Sequence, residues 1–232
     1  METVVIVGAS SSIGGAIAAR FRNASTHLIT TYTSHASTDP QERAEALPLD
    51  LRDNASIDAF AQQVAKLAPQ IDVAIFLAGI LPGKSLADYD FATIDEVMSI
   101  NFNGQAKLIS RMLPLLTARS RLLLCSSISA QRGSFDPIYA ASKGALLSFV
   151  KSLVNRLPPG ARINAIAPGL IQDSSMFDDM TPAQRGLHRS QVSSKQLLRK
   201  QDLAEIIFDL CRDHWAHLNG ACIDLNGGQH VR

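Results

Sequence analysis

Residues 4–15 read Val4-Val-Ile-Val-Gly-Ala-Ser-Ser-Ser-Ile-Gly-Gly15, an apolar run that turns through glycine and hydroxyl residues into a helix-forming stretch. Four β-branched residues in succession suit a strand buried on both faces. Glycine at the turn lets the backbone bend tightly and approach a ligand, and the N-terminus of the following helix favours a pyrophosphate. Gly8, Gly14 and Gly15 could instead serve only to pack a helix on a sheet. Their place at the first strand–helix junction favours the phosphate reading.

Outward from this junction, short apolar runs alternate with amphipathic segments. Val4–Val7, Leu28–Thr31, Val73–Leu77, Leu122–Cys125, Ile163–Ile166 and Cys222–Leu225 are expected as strands, with Leu47–Leu49 a weaker one interrupted by Pro48. Ile57, Phe60, Ala61, Val64 and Leu67 recur at helical spacing after a polar start. Thr93-Ile-Asp-Glu96 has the form of a capping box ahead of Val97, Met98, Leu108, Ile109, Met112 and Leu113. Leu203, Ile206, Ile207 and Leu210 form a further stripe. Strands separated by helices imply right-handed crossovers, so one α/β domain over residues 1–232 is expected. Its core would be a seven-stranded parallel sheet, doubly wound in the Rossmann manner. Such sheets bind ligands beyond the carboxyl ends of their strands.

Bulk properties exclude several classes. The chain has 232 residues, 46% hydrophobic and 19% charged, with a formal net charge of +1. That composition is globular, and the charge gives no support to a nucleic-acid surface. No apolar stretch approaches the ~20 residues that span a bilayer, and no signal-peptide pattern opens the chain. A cytoplasmic protein without membrane or nucleic-acid partners is expected. Cys125, Cys211 and Cys222 lack metal or redox spacing and are expected as reduced thiols, Cys125 as a buried structural one. His214 and His217 lack a third ligand, so no metal site is expected.

Tyr139-Ala-Ala-Ser-Lys143 is the sharpest chemical signal. Four residues make one helical turn, which puts the phenol and the ammonium on one face. A charge about 4 Å away at an effective dielectric near 20 is worth roughly 4 kcal/mol, or about three pK units. The pairing predicts a phenol lowered into the range of a general acid. At the second strand's end, Thr30-Thr-Tyr-Thr-Ser-His35 carries no acid before Asp39, and Thr33 and Ser34 offer hydroxyls to a phosphate. A carboxylate there would favour NAD, so NADP(H) is favoured over NAD(H).

Together these landmarks resemble the short-chain dehydrogenase/reductase family along essentially the whole chain, with the 3-oxoacyl ketoreductases as the general type. The resemblance rests on Gly8-Ala-Ser-Ser-Ser-Ile-Gly14, Leu77-Ala-Gly79, Asn101-Phe-Asn-Gly104, Ser126-Ser127, Tyr139–Lys143, Ile163-Asn-Ala-Ile-Ala-Pro-Gly169 and Asp224-Leu-Asn-Gly-Gly228. It implies a catalytic tetrad of Asn101, Ser127, Tyr139 and Lys143, with Tyr139 as general acid/base and Asn101 supporting a water that serves Lys143. Ser126 is the alternative to Ser127, because it stands thirteen residues before Tyr139 and Ser127 twelve. It also implies that Gly8, Ser10, Ser11, Ser12, Ile13 and Gly14 surround the pyrophosphate and that Thr33 and Ser34 face the ribose. Asp50 and Leu51 would contact adenine, Ala78 and Gly79 the nucleotide, and Pro168, Gly169 and Ile171 the nicotinamide, with Tyr139 and Lys143 touching the cofactor as well. Val7, Ser12, Phe76, Leu77 and Asp173 depart from the family's pattern.

The expected activity is NADP-dependent interconversion of a small carbonyl compound and its alcohol. A non-catalytic dinucleotide sensor or scaffold is the alternative, and isomerisation or dehydration on the same tetrad a third. Residues 174–195, polar and irregular, would form a substrate-covering lid. The resemblance further implies a homodimer or homotetramer built through the helices near Thr93–Leu116 and Tyr139–Leu157, with the tail at His230–Arg232.

Overall fold

Strand β1 (Glu2–Val7) sends Val5 and Val7 into one core cluster and Val4 and Ile6 into another. This is the two-residue period of a strand covered on both sides. The computed structural model describes residues 1–23, 25–34 and 44–231. His35, Asp39 and Arg232, named above, lie outside these described residues.

The remaining strands are β2 (Thr26–Tyr32), β3 (Ala44–Pro48), β4 (Ile71–Phe76), β5 (Leu116–Cys125), β6 (Arg162–Pro168), the short β7 (Ile171–Gln172) and β8 (Leu198–Arg199), and β9 (Cys222–Leu225). Seven of them form one sheet in the order β3-β2-β1-β4-β5-β6-β9, every neighbour parallel. The chain leaves β1 in one direction, reaches β3, then crosses back to β4. That reversal opens a crevice at the carboxyl ends of β1 and β4.

Helices cover both faces. Against one lie α2 (Asn54–Leu67), α4 (Gly104–Met112) and α6 (Pro137–Leu153), which bury Phe60, Val64, Leu108, Ile109, Leu146 and Val150. Against the other lie α1 (Ser12–Phe21) and α9 (Lys200–Leu210), which bury Ile17, Phe21, Leu203 and Ile207. The α/β doubly wound fold with its seven-stranded parallel sheet is as expected. Phe76, where the family's pattern has a polar residue, is fully buried in the α2/α4/α6 core. Among the described residues no helix is long and apolar enough to cross a membrane.

Two local expectations fail. The helix expected from Thr93 begins earlier, as α3 (Phe91–Met98), because Asp90 caps it by accepting the Thr93 N–H at 2.7 Å. Glu96, freed from a capping box, pairs with Arg52 at 2.8 Å instead. The segment 174–195 is not irregular: it holds α7 (Ser175–Asp178) and α8 (Pro182–Gln191), the latter with a Thr181/Gln184 capping box. Between α5 (Ser129–Arg132) and α6, Gly133 takes a positive φ of 80° and turns the chain toward the tyrosine helix.

Candidate active site

A cavity of about 830 Å³ runs along the carboxyl ends of the strands, from Asp50 and Leu51 at one end to Met176, Met180 and His188 at the other. At its floor Gly8 has φ 91°, and a β-carbon there would lie 2.7 Å from the Ala78 amide nitrogen. Gly14 is equally constrained, since its β-carbon would meet the Gly8 carbonyl at 2.3 Å. Glycine therefore lets β1, α1 and the β4 end close together while leaving the turn bare of side chains. Ser11 caps α1 by accepting the Gly14 N–H at 3.0 Å.

Gly8, Ser10, Ser11, Ile13, Thr33, Asp50, Leu51, Ala78, Gly79, Ser127, Tyr139, Lys143, Pro168, Gly169 and Ile171 all line this one cavity. Ser12, Gly14, Ser34 and Asn101 do not reach its wall. Ser12 turns away and donates to the Asp173 carbonyl at 3.2 Å. Ser34 is exposed beyond the end of β2, and Thr33 Oγ1 donates to the Leu49 carbonyl at 3.3 Å. Asp173, at the left-handed φ of 64°, lies off the cavity wall; Arg199, raised chiefly by its hydrogen-bonded pairing with Asp202, also feels the Asp173 charge. Its neighbour Ser174 lines the cavity in its place.

Asn101 is fully buried in a π-helical turn, Ser99–Asn103, that joins α3 to α4. Its Oδ1 accepts the Ile80 N–H at 2.8 Å, while its amide donates to the Ile80 carbonyl at 3.0 Å and Ser142 Oγ at 2.9 Å. The turn's extra residue places this side chain beneath the β4 end. Asn101 Oδ1 and Lys143 Nζ converge under Gly79, where a β-carbon would meet them at 3.2 and 2.9 Å.

The two serines separate. Ser126 Oγ donates to the Lys143 carbonyl at 2.8 Å, tying β5 to α6. Ser127 Oγ accepts the Ser129 N–H at 3.1 Å and faces the Tyr139 phenol, whose pKa it lowers. Lys143 Nζ donates to the Cys125 carbonyl at 2.8 Å and lies 6.0 Å from the centre of the Tyr139 ring. The lowered phenol expected from that lysine is not found. Burial pushes Tyr139 up to about 12, and the neighbouring Ser127 hydroxyl opposes this only in part. Burial also lowers Lys143, which weakens the ammonium that would lower the phenol. Burial raises the Cys125 thiol as well, as suits a structural cysteine.

Three further residues shape the site, of which Arg52 and Gln105 carry no sequence signal. Arg52 lies at the Asp50/Leu51 end of the cavity, held by Asp50 and Glu96, each at 2.8 Å. Gln105 donates to the carbonyls of Ala78 and Asn101 at 2.8 and 3.1 Å and so fixes the π turn to the β4 end. Asp136, which with Pro137 reads in the sequence as a turn shaping the pocket wall ahead of Tyr139, is buried at the head of α6, lines the cavity and accepts the Tyr139 N–H at 2.9 Å. Its signal was present: Asp before Pro is a strong helix-start pair.

Known proteins match this arrangement. A family model described as enoyl-(acyl carrier protein) reductase covers residues 8–230. The chain is 29% identical to a 3-oxoacyl-[acyl-carrier-protein] reductase FabG of Rickettsia felis, over 98% of this chain and 96% of that one. Among solved structures, a glucose/ribitol-type short-chain dehydrogenase/reductase from Brucella melitensis superposes with a TM-score of 0.91 at 27% identity, covering 100% of this chain and 97% of its own. A short-chain dehydrogenase from Burkholderia cenocepacia, solved in complex with NADP, gives 0.90 at 25% identity, covering 99% and 98%.

Proposed function

The chain belongs to the short-chain dehydrogenase/reductase family, an NAD(P)-dependent oxidoreductase, and from that premise we propose that it interconverts a ketone or aldehyde and its alcohol with NADP(H). The observation that carries the reading is the Ser127–Tyr139 hydroxyl pair in the cavity wall, with Lys143 and Gly79 beside it.

The residues present fit a dinucleotide. The floor at Gly8 and Gly79 is glycine where any side chain would collide, and the ten-residue α1 begins against it. Ser10, Ser11 and Ile13 would hold the pyrophosphate, Asp50 and Leu51 the adenine, Lys143 the nicotinamide ribose, and Pro168, Gly169 and Ile171 the ring. NADP is supported by Thr33 at the described end of β2, where NAD binders need a carboxylate, and by the guanidinium of Arg52. When bound, the nicotinamide supplies or accepts the hydride.

This chain's own groups manage the oxygen and its proton. In reduction, the Tyr139 O–H gives its proton to the carbonyl oxygen as negative charge develops there, and Ser127 donates a hydrogen bond to the same oxygen. In oxidation the phenolate takes the alcohol proton. A phenol raised to about 12 keeps its proton in the resting site, and transfer in either direction requires the Lys143 ammonium to bring it down toward the working range. Asn101 holds the segment through which Lys143 would be resupplied with protons. Ile128, Leu170, Met176 and Met180 give the substrate end an apolar wall, which suits a carbonyl on an apolar chain such as a 3-oxoacyl compound.

The same reading makes the protein a cytoplasmic enzyme assembled as a homodimer or homotetramer through α3–α4 and α6. The substitutions behind a non-catalytic reading have structural accounts in the Ser12–Asp173 bond and the burial of Phe76.

The test pairs turnover with binding. Tyr139→Phe should lose about 10²–10⁴-fold in carbonyl reduction, while NADPH still raises its melting temperature as it does the wild type's. A ligand at 100 times its dissociation constant adds about 2.7 kcal/mol, so NADPH should shift unfolding further than NADH. Full turnover by Tyr139→Phe would remove the proton-transfer role, and a larger shift with NADH would reverse the cofactor preference.

A further inference from the structure

We propose that Asp136 is a positioning residue of this site: one buried carboxylate holds both the first turn of the tyrosine helix and the substrate-side segment 83–89, and so fixes where a carbonyl compound meets Tyr139. The proposal rests on the functional reading above and extends it to a residue outside the tetrad.

Asp136 is 1% exposed. Its Oδ1 accepts the Tyr139 N–H at 2.9 Å, and its Oδ2 accepts the Gly83 N–H at 2.9 Å and the Lys84 N–H at 3.3 Å. The Tyr89 hydroxyl donates to both oxygens at 2.8 Å. Every partner is a donor, so the group acts as a carboxylate. A buried charge is costly unless donors of this kind surround it. Capping alone does not explain them. A helix start needs one or two bonds, and a serine or asparagine supplies them. The other donors come from 47 to 53 residues earlier in the chain, on a segment whose Gly83 lines the cavity together with Asp136 and Tyr139. That segment is pinned at its near end too, where Asn101 grips both the N–H and the carbonyl of Ile80. The wall from Ile80 to Tyr89 is therefore suspended between the tetrad's asparagine and Asp136.

The charge also reaches the phenols. Burial is the main cause that raises Tyr139 and Tyr89, and the Asp136 carboxylate adds to both. Tyr139 is faced by Cys125 from β5, which raises it, by Ser127, which lowers it, and by Lys143 from its own helix. Around Asp136 the charged neighbour is Lys84, whose ammonium lies 3.8 Å from Asp90.

Asp136→Asn separates positioning from capping. Its amide oxygen can keep the Tyr139 N–H, since asparagine caps helices as well as aspartate does. Its NH2 group then opposes the Gly83 and Lys84 N–H groups and releases the segment. The expected result is a helix that stays capped, a KM raised roughly tenfold as 1–2 hydrogen bonds are lost, and a kcat/KM profile whose tyrosine limb moves to lower pH by roughly half a unit or more. Tyr89→Phe, which leaves the charge in place, should raise KM without moving that limb. A loss confined to stability, with KM and the limb both unchanged in Asp136→Asn, overturns the proposal. The phenol can also be read without a substrate, by titrating tyrosinate absorbance in wild type, Asp136→Asn and Tyr139→Phe. An onset lowered in Asp136→Asn, in the band that Tyr139→Phe removes, supports the role even if no carbonyl compound is turned over. An unmoved onset counts against it even in an active enzyme.

Discussion

Ser126 and Ser127 are adjacent, yet their hydroxyls go to different places. Past the end of a strand, neighbouring side chains still diverge, so one serine reaches the backbone of α6 while the other faces the cavity beside Tyr139. Spacing to Tyr139 favours Ser126, whereas the place of Ser127 at the end of the serine pair favours Ser127; the direction of the two side chains is what gives them different partners. The consequence is measurable. Ser127→Ala should cut kcat by about 10²–10³-fold, the usual loss when one donor to a developing oxyanion is removed, with little change in the urea midpoint. Ser126→Ala removes a buried bond to the Lys143 carbonyl and should cost about 1–2 kcal/mol of stability while turnover stays within a few-fold of wild type. Paired kinetics and urea unfolding on the two variants decide it, and exchanged phenotypes would transfer the role to Ser126.

The π turn at Ser99–Asn103 shows how an element can carry a site. One extra residue in the helical ladder rotates Asn101 under Ile80, where its amide closes three hydrogen bonds in a fully buried position. Asn101→Ala leaves the Ile80 N–H and carbonyl to find other partners, an expected loss of about 2–3 kcal/mol by urea unfolding. It should also lower kcat, because the same side chain converges with Lys143 under Gly79. Loss of stability with full kcat would reduce Asn101 to scaffolding. Apolar spacing reads α3 and α4 as one continuous helix, because a π turn has no compositional mark and the buried residues Val97, Leu108, Ile109 and Met112 lie on both sides of it. The helix start was misjudged for a related reason: Asp90 and Thr93 are both competent caps, and the choice depends on where the chain arrives from the cavity wall. In residues 174–195 the start of α8 was legible as Thr181-Pro-Ala-Gln184. The helix itself was not, because it buries no residue and so carries no apolar stripe.

For the whole molecule, alternation of apolar runs and amphipathic stretches sufficed to give the parallel sheet, since strands covered on both faces cannot hide their composition. The convergence of Gly83, Asp136 and Tyr139 was out of reach, because it joins residues 53 positions apart through a loop without periodicity. Burial of several titrating groups in that core has a global signature at alkaline pH. Burial raises Tyr139 from 10.0 to about 12 and Cys211 from 9.0 to about 12, and it raises Cys125 and Tyr89 as well. Between about pH 9 and 12 the unfolded chain has released protons that the folded protein still holds, so stability must fall as pH rises. Lys143 acts with the opposite sign. Its lowered value means that the folded protein gives up a proton the unfolded chain keeps, a contribution that grows toward 10.5. Four groups oppose one, so the urea midpoint should decline from pH 9 to pH 11. Cys211→Ala should be less stable throughout, through lost packing, but should show a shallower decline because one of the four groups no longer titrates. A midpoint that holds level or climbs over this interval would mean that Lys143 dominates, and an unaltered slope in Cys211→Ala would remove the thiol from the account.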